Sequence, residues 1–286
     1  MLPPDPPTYE DSGPDRAGAL LVPPQNFTLG LIINGREQML IEQAECTNLP
    51  ASFNWGHAAT SHVLSKFKND PGTRDGFPCI FGHNSVRSGN VRFLLVPYNV
   101  DISKYDFHVL ANDLRSYIDQ VDVKSLHVSR HRPLLVLFEP VAIFTTADQF
   151  QQVFIEAMQF LLDVDQEAWP TNVSKDPDHH TWTMCFQGCE LFVNVSHPAH
   201  VNRRSRNLGD GLAFVINPRK IFDIAAPDDA KGRRVTKTIR NNIDLYDDVP
   251  HSALLGSYLL REAQWPQYMI PDNNDSPPLK CPLRFK

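Results

Sequence analysis

A tight turn between two short apolar runs constrains the fold of this 286-residue chain more than any other feature. Residues 182–186 and 191–195 are apolar and rich in β-branched or aromatic side chains, which favours β-strands. Between them, Gln187-Gly188 is typical of a hairpin turn, because glycine adopts the left-handed conformations that such turns need. A further apolar run at residues 212–216 follows, so this part of the chain predicts consecutive antiparallel strands.

Helical patterns alternate with strand patterns in the rest of the chain. Residues 91–96 and Leu134–Phe138 are further strand candidates. After a candidate cap at Ser103, apolar residues recur at helical spacing: Phe107, Leu110, Leu114, Tyr117, Ile118 and Val121. Thr146 and Gln149 form a capping-box pattern that precedes Phe150, Val153, Phe154, Ala157, Met158 and Leu161. Further helices are predicted over residues 57–68 and 228–246. We therefore expect an α+β fold: a single domain with a mainly antiparallel sheet flanked by helices.

Proline content sets the first residues apart from the remainder. Residues 1–25 contain seven prolines and few large apolar side chains, so we expect a disordered, Pro-rich N-terminal tail. No long linker follows, and residues 26–286 are predicted to form one compact domain.

Charge, hydropathy and cysteine usage exclude several classes of protein. The net charge of −6 argues against a nucleic-acid binder. No apolar run reaches the roughly 18 residues of a membrane helix, and the N-terminus lacks the pattern of a secretory signal. Five cysteines without a CxxC pair indicate a reduced, cytoplasmic protein. Nucleotide-binding and serine-hydrolase motifs are absent.

The segment from residue 194 to 219 concentrates side chains that bind metals and anions. His197 and His200 are candidate ligands; the alternative is that they only hydrogen-bond the backbone. Arg203, Arg204 and Arg206 suit carboxylate or phosphate groups, and the alternative is surface ion pairing. Residues 203–240 contain ten Lys or Arg and four Asp, a local bias that favours a bound anion.

A lone cysteine follows a proline in the segment Phe77-Pro78-Cys79. Such a cysteine is commonly a small buried apolar residue. It is also a candidate thiolate ligand for haem iron.

These segments, taken in order, resemble the YqcI/YcgG family over about residues 75–283. The resemblance rests on the following blocks: Phe77-Pro78-Cys79, Pro198-Ala199-His200, Arg203-Arg204-Ser205-Arg206-Asn207-Leu208-Gly209, Asn217-Pro218-Arg219 with Phe222-Asp223, the helix from Arg234 to Tyr246, Leu255-Gly256-Ser257-Tyr258, Trp265-Pro266-Gln267-Tyr268 and Cys281-Pro282.

The resemblance implies a haem-dependent monooxygenase that hydroxylates a guanidine or amine nitrogen of a small, arginine-like substrate. It implies haem b, with His200 as the iron ligand, His197 in reserve and Cys79 third. The site would also include Phe77 and Cys79 on its wall and Arg203, Arg204 and Arg206 paired with the haem propionates. Glu139 and Asp223 are candidate carboxylate partners for a cationic substrate.

The implied partners are a small-molecule substrate, molecular oxygen and an external electron donor, without nucleic acid or membrane. The oligomeric state is left open, a homodimer included. Two other functions fit the same residues. One is a haem-binding sensor or carrier without turnover. The other is a haem-free interaction protein whose basic stripe of Arg233, Lys237 and Arg240 binds an anionic partner.

Overall fold

The computed structural model describes residues 32–33, 36–37, 39–121, 125, 127–256, 261–277 and 279–285. The chain divides into Met1–Gly30 and Leu31–Lys286, and only the second unit contains described residues. The tail predicted over residues 1–25 therefore lies outside the described residues.

The elements of the second unit alternate between strands and helices along the chain. The strands are β1 (Ile32–Ile33), β2 (Arg36–Glu37), β3 (Leu40–Glu42), β4 (Arg92–Val96), β5 (Tyr98–Asn99), β6 (Lys104–Tyr105), β7 (Leu134–Phe138), β8 (Met184–Phe186), β9 (Cys189–Ser196) and β10 (Ala213–Pro218). The helices are α1 (Asn54–Ser65), α2 (Ile80–Arg87), α3 (Phe107–Asp119), α4 (Ala147–Val164), α5 (Lys220–Ala225), α6 (Ala230–Tyr246) and α7 (Trp265–Tyr268). None of the helices among these residues is both long and apolar enough to cross a membrane.

The main sheet has six strands in the order β3-β4-β7-β10-β9-β8. β4 and β7 run parallel, and the other neighbours are antiparallel. The turn between β8 and β9 has φ values of 51° at Gln187 and 66° at Gly188, the left-handed pair that matches the twist of a hairpin. The predicted α+β fold with a mainly antiparallel sheet is confirmed.

Helix starts follow local capping chemistry. At α4 the predicted capping box is present, since the Thr146 hydroxyl accepts the Gln149 N–H and the Gln149 side chain accepts the Thr146 N–H. The cap predicted at Ser103 is wrong: Ser103 lies in a turn with φ 52°, and the carboxylate of Asp106 caps α3 three residues later. Aspartate is the better cap because its charge also interacts favourably with the helix dipole.

The two faces of the sheet are covered differently. Because side chains alternate along a strand, Leu94, Val136 and Phe214 share one face, where they pack with α3 and α4 in the larger core. Phe93 and Leu135 lie on the other face with residues of α1 and α6. This second face carries the cavity described next.

Candidate functional site

A cavity of about 390 Å³ lies on the second face of the sheet. Its floor is a row of side chains contributed by four adjacent strands, since Phe93 pairs with Leu135, Leu135 with Val215, and Val215 with Asn194. Apolar side chains from α1, α2, α5 and α6 form much of the wall: Val63, Leu64, Phe81, Val86, Ile221, Ile239 and Ile243. The volume is within the range of about 300–1,000 Å³ typical of small-molecule and cofactor sites.

Cys79 lies on the cavity wall as the N-cap of α2. Its Sγ accepts a hydrogen bond from the Gly82 N–H at 3.2 Å. Burial raises the pKa of the Cys79 thiol, and the N–H groups of the first helical turn oppose that rise. Phe77 shares the wall, and its carbonyl accepts the His83 Nε2–H at 2.8 Å, which holds this segment in place.

An ion-paired cluster lies at one end of the floor. The Arg219 guanidinium bonds Glu190 at 3.1 Å and both carboxylate oxygens of Asp223 at 3.1 and 2.5 Å. Burial opposes the charge of Arg219, but these bonds outweigh it and raise its pKa. The candidate carboxylate Asp223 therefore lines the cavity, but Arg219 already holds it.

Two further polar groups line the cavity. His131 lines the cavity, and its Nε2 lies 2.6 Å from the Asn217 Oδ1. Burial lowers the pKa of His131, so the ring is neutral at pH 7. Asn194 also lines the cavity, and its Oδ1 is buried without a hydrogen-bond partner among the described residues.

The two candidate ligand histidines lie outside the residues that line this cavity. Their rings stack at 3.8 Å, and His197 also stacks on Phe150 at 5.1 Å. The His200 Nε2–H donates to the Ile270 carbonyl at 2.9 Å. Burial lowers the pKa of His197 to about 2 and that of His200 to about 4, so both rings are neutral at pH 7. Sequence spacing alone could not show this enclosure.

The three arginines after these histidines bond mainly to the backbone of distant segments. Arg203 donates to the carbonyls of Pro271 and Pro250 and to the Asn274 side chain. Arg206 donates to the carbonyls of Gln267 and Tyr268, and burial lowers its pKa to about 9. Both line the cavity.

Arg204 does not line the cavity; it stacks over the Tyr246 ring at 4.5 Å. The structure therefore gives the arginine run a role in joining its loop to the C-terminal segments and α6.

Glu139 and the basic stripe of α6 have different positions. Glu139 accepts the Tyr98 N–H at 3.0 Å and does not line the cavity. Arg233 and Lys237 are exposed, whereas Arg240 is half-buried on the cavity wall. Within the described part of the chain, Arg240 forms no ion pair, and its guanidinium bonds the Leu255 carbonyl.

Sequence reasoning missed His131, Asn194 and Asn217 as site residues. Asn194 and Asn217 lie in the segment 194–219, in which only the His and Arg residues are sequence candidates, and His131 lies 86 positions from its partner Asn217.

No group of three or more His, Cys, Asp or Glu side chains is arranged to hold a metal ion in the described ranges. The five cysteines Cys46, Cys79, Cys185, Cys189 and Cys281 are free thiols.

Comparison with known proteins gives one family. The YqcI/YcgG family model matches residues 67–284. DcsA of Streptomyces lavendulae, a proposed N(omega)-hydroxy-L-arginine synthase, is 37% identical over 235 residues, covering 81% of this chain and 85% of DcsA. Two uncharacterised proteins of Bacillus subtilis (strain 168) are also similar. YcgG is 27% identical, covering 74% of this chain and 82% of YcgG, and YqcI is 28% identical, covering 72% and 80%. No solved structure matches.

Proposed function

Because the chain belongs to the YqcI/YcgG family, we propose that it is a haem-dependent monooxygenase that N-hydroxylates a guanidine or amine group of a small, arginine-like substrate. The observation that carries this proposal is the apolar cavity with one thiol among its described lining residues, Cys79, at a helix N-terminus. The name of the relative DcsA supports the reaction class.

The residues around the cavity fit a haem group. The aromatic and aliphatic walls suit the porphyrin, and a thiolate is a known axial ligand in enzymes that activate oxygen. Burial raises the pKa of the Cys79 thiol, and the Gly82 N–H and the N-terminus of α2 would offset part of that cost for a thiolate. Because its Sγ lies on a residue of the cavity wall, Cys79 is our preferred ligand. His200 and His197 are less suited, because they stack on each other away from the cavity lining.

Different charged residues suit the cofactor and the substrate. Arg240 is a half-buried cation on the wall without an ion-pair partner in the described ranges, and it suits a propionate. Arg203 and Arg206 support the wall, with several of their N–H groups bonded to protein acceptors. Glu190 and Asp223 share the single cation Arg219, and the net negative charge of that cluster favours a cationic guanidine.

The proposed reaction needs reagents that the chain itself does not contain. One N–H bond of the substrate becomes N–OH, and one molecule of oxygen, two electrons and two protons yield that product and water. Bound haem would supply the oxygen activation, and an external electron donor would supply the electrons. The protein orients the substrate and excludes water through the apolar walls. The free thiols fit a reducing compartment such as the cytoplasm.

One preparation tests the proposal. The purified protein, with haemin added, is expected to show a Soret band. With oxygen, a reductant and L-arginine or related amines, it is expected to form a product heavier by one oxygen atom in mass spectrometry. Absence of the Soret band contradicts haem binding. Haem binding without any product across the panel favours a sensor or carrier instead.

The iron ligand is tested by substitution. We expect Cys79→Ser to shift the ferrous–CO Soret band, because thiolate and imidazole ligation place it differently. Cys46→Ser is the matched control, since this buried thiol does not line the cavity. His200→Ala is expected to leave the band unchanged. The opposite pattern would assign the ligand to His200.

A further inference from the structure

The cavity floor carries polar groups in a defined order along β9 and β10. Arg219 lies beside Glu190, Asn217 pairs with Phe192, and Val215 pairs with Asn194. Asn194 is therefore the diagonal neighbour of Asn217, and diagonal positions in antiparallel strands are about 7–8 Å apart. One small ligand can reach both positions.

Asn194 presents an acceptor that the described protein does not use. Its Oδ1 is buried on the floor and has no donor among the described residues. A buried carbonyl without a donor costs free energy, and a ligand N–H placed there would recover it.

His131 presents a second acceptor because Asn217 selects its tautomer. An amide oxygen only accepts hydrogen bonds, so the contact at 2.6 Å requires the proton on Nε2. The Nδ1 of the neutral ring is then an acceptor. Asn217 itself is positioned by the pairing of β10 with β9, opposite Phe192.

Two acceptors on residues that line one cavity call for a ligand with at least two donors. A guanidinium has N–H groups on a rigid plane and accepts no hydrogen bond. A ureido group of the same shape replaces one nitrogen by a carbonyl oxygen, so it matches two acceptors only when that oxygen is turned away from both. It also lacks the positive charge that the cluster of Glu190, Asp223 and Arg219 favours. The floor therefore discriminates between these two groups.

We propose that Asn194 and His131 are the positioning residues for the N–H groups of the substrate, and that together they select guanidines over their carbonyl analogues. This inference rests on the proposed function for the identity of the substrate. It assigns the selectivity to Asn194 and His131. Asn217 supports it by accepting the His131 Nε2–H.

Binding of L-arginine and L-citrulline to the purified protein, measured by calorimetry, tests this. The two amino acids have the same chain length and differ at the terminal group. Wild-type protein is expected to prefer L-arginine. Asn194→Leu removes the acceptor at similar volume and is expected to weaken L-arginine binding about tenfold or more, with a smaller effect on L-citrulline.

Two further variants distinguish loss of the hydrogen-bond acceptor from damage to the fold. Asn194→Asp keeps the acceptor oxygens and is expected to retain the preference for L-arginine. Asn217→Leu frees the His131 ring and is expected to reduce that preference. Gln43→Met is the matched control, because Gln43 Oε1 is also buried and unpartnered in the described part of the chain but lies outside the cavity lining. It should leave both affinities unchanged.

An equal affinity of the wild type for both amino acids, or an unchanged preference in a folded Asn194→Leu protein, overturns the inference. Soret absorption and product formation are measured on the same preparations. If Asn194→Leu keeps haem binding, turnover and the preference for L-arginine, the inference is wrong and the proposed function stands. If the preference for L-arginine depends on Asn194 but the protein binds no haem and forms no product, the proposed function is wrong and the inference stands.

Discussion

At the scale of single residues, burial decides what the histidines of this protein can do. His197 and His200 are each 2% exposed and stack on one another, so protonation of either would place a charge in a site without solvent. Burial lowers both pKa values below the ordinary value of 6.5. His131 is also kept neutral by burial, but it lines the cavity and has an amide partner.

The stacked pair predicts a pH dependence of stability. Between pH 6.5 and about 4 the unfolded chain binds protons at these positions and the folded chain does not. This contribution therefore lowers the free energy of unfolding as the pH falls through that window. His197→Phe keeps the stacking on Phe150 and removes one titrating group. We expect it to flatten the slope by up to about 1.4 kcal/mol per pH unit.

Urea unfolding of both proteins at several pH values between 4.5 and 7.5 measures this difference. Comparison of the two proteins cancels the contributions of the carboxylates, including Asp113, whose pKa burial raises to about 6. Parallel curves for the two proteins would show that folding does not lower the pKa of His197, because the ring would then bind protons equally in both states.

At the scale of elements, α2 and α4 both begin with a side-chain cap. α4 carries Phe154, Ala157 and Met158 into the larger core, and its start depends on Thr146 and Gln149. α2 is shorter, and its N-cap Cys79 is a side chain of the site itself. The cap of α4 thus fixes the start of a core helix, whereas the cap of α2 is a thiol on the cavity wall.

Thr146→Ala is expected to lower the free energy of unfolding by about 1 kcal/mol, because the Gln149 N–H loses its acceptor. Thr146→Ser retains the hydroxyl and is expected to lose less. The denaturant midpoint measures both, with an unchanged m-value. Equal losses in the two variants would attribute the effect to the threonine methyl group instead of the cap.

At the scale of the whole molecule, one face of the sheet carries the larger core and the other face carries the cavity. The larger core on the first face is dense with aromatic contacts, among them Phe138 with Phe214 at 4.7 Å and Trp182 with Trp265 at 5.7 Å. The second face leaves a cavity between the floor and the surrounding helices. A rigid packed face of this kind can hold a cavity open on the other side of the sheet.

Deletion of residues 1–25 tests which part of the chain this architecture needs. The segment is rich in proline and poor in large apolar side chains. We expect the truncated protein to keep its melting temperature and its haem content, measured by circular dichroism and the Soret band. A large fall in melting temperature would show that the segment packs on the domain.

The sequence by itself predicted the elements whose signals are local. The capping box at Thr146 and the Gln187-Gly188 turn each act within a few residues, so α4 and the hairpin of β8 and β9 followed from them. The mainly antiparallel sheet also followed from a local signal, because the tight turn joins consecutive strands. The short helix α2 was missed, because its eight residues are too few for a clear apolar period.

The composition of the site was decided by tertiary structure. His200 meets Ile270 across 70 positions, and His131 meets Asn217 across 86, so neither environment is encoded near the residue. Arginines that suited anions by type instead bond carbonyls of segments far along the chain. Local sequence sets the backbone conformation through short-range sterics and capping. Burial and hydrogen-bond partners depend on which distant strands become neighbours, and only the assembled sheet determines that.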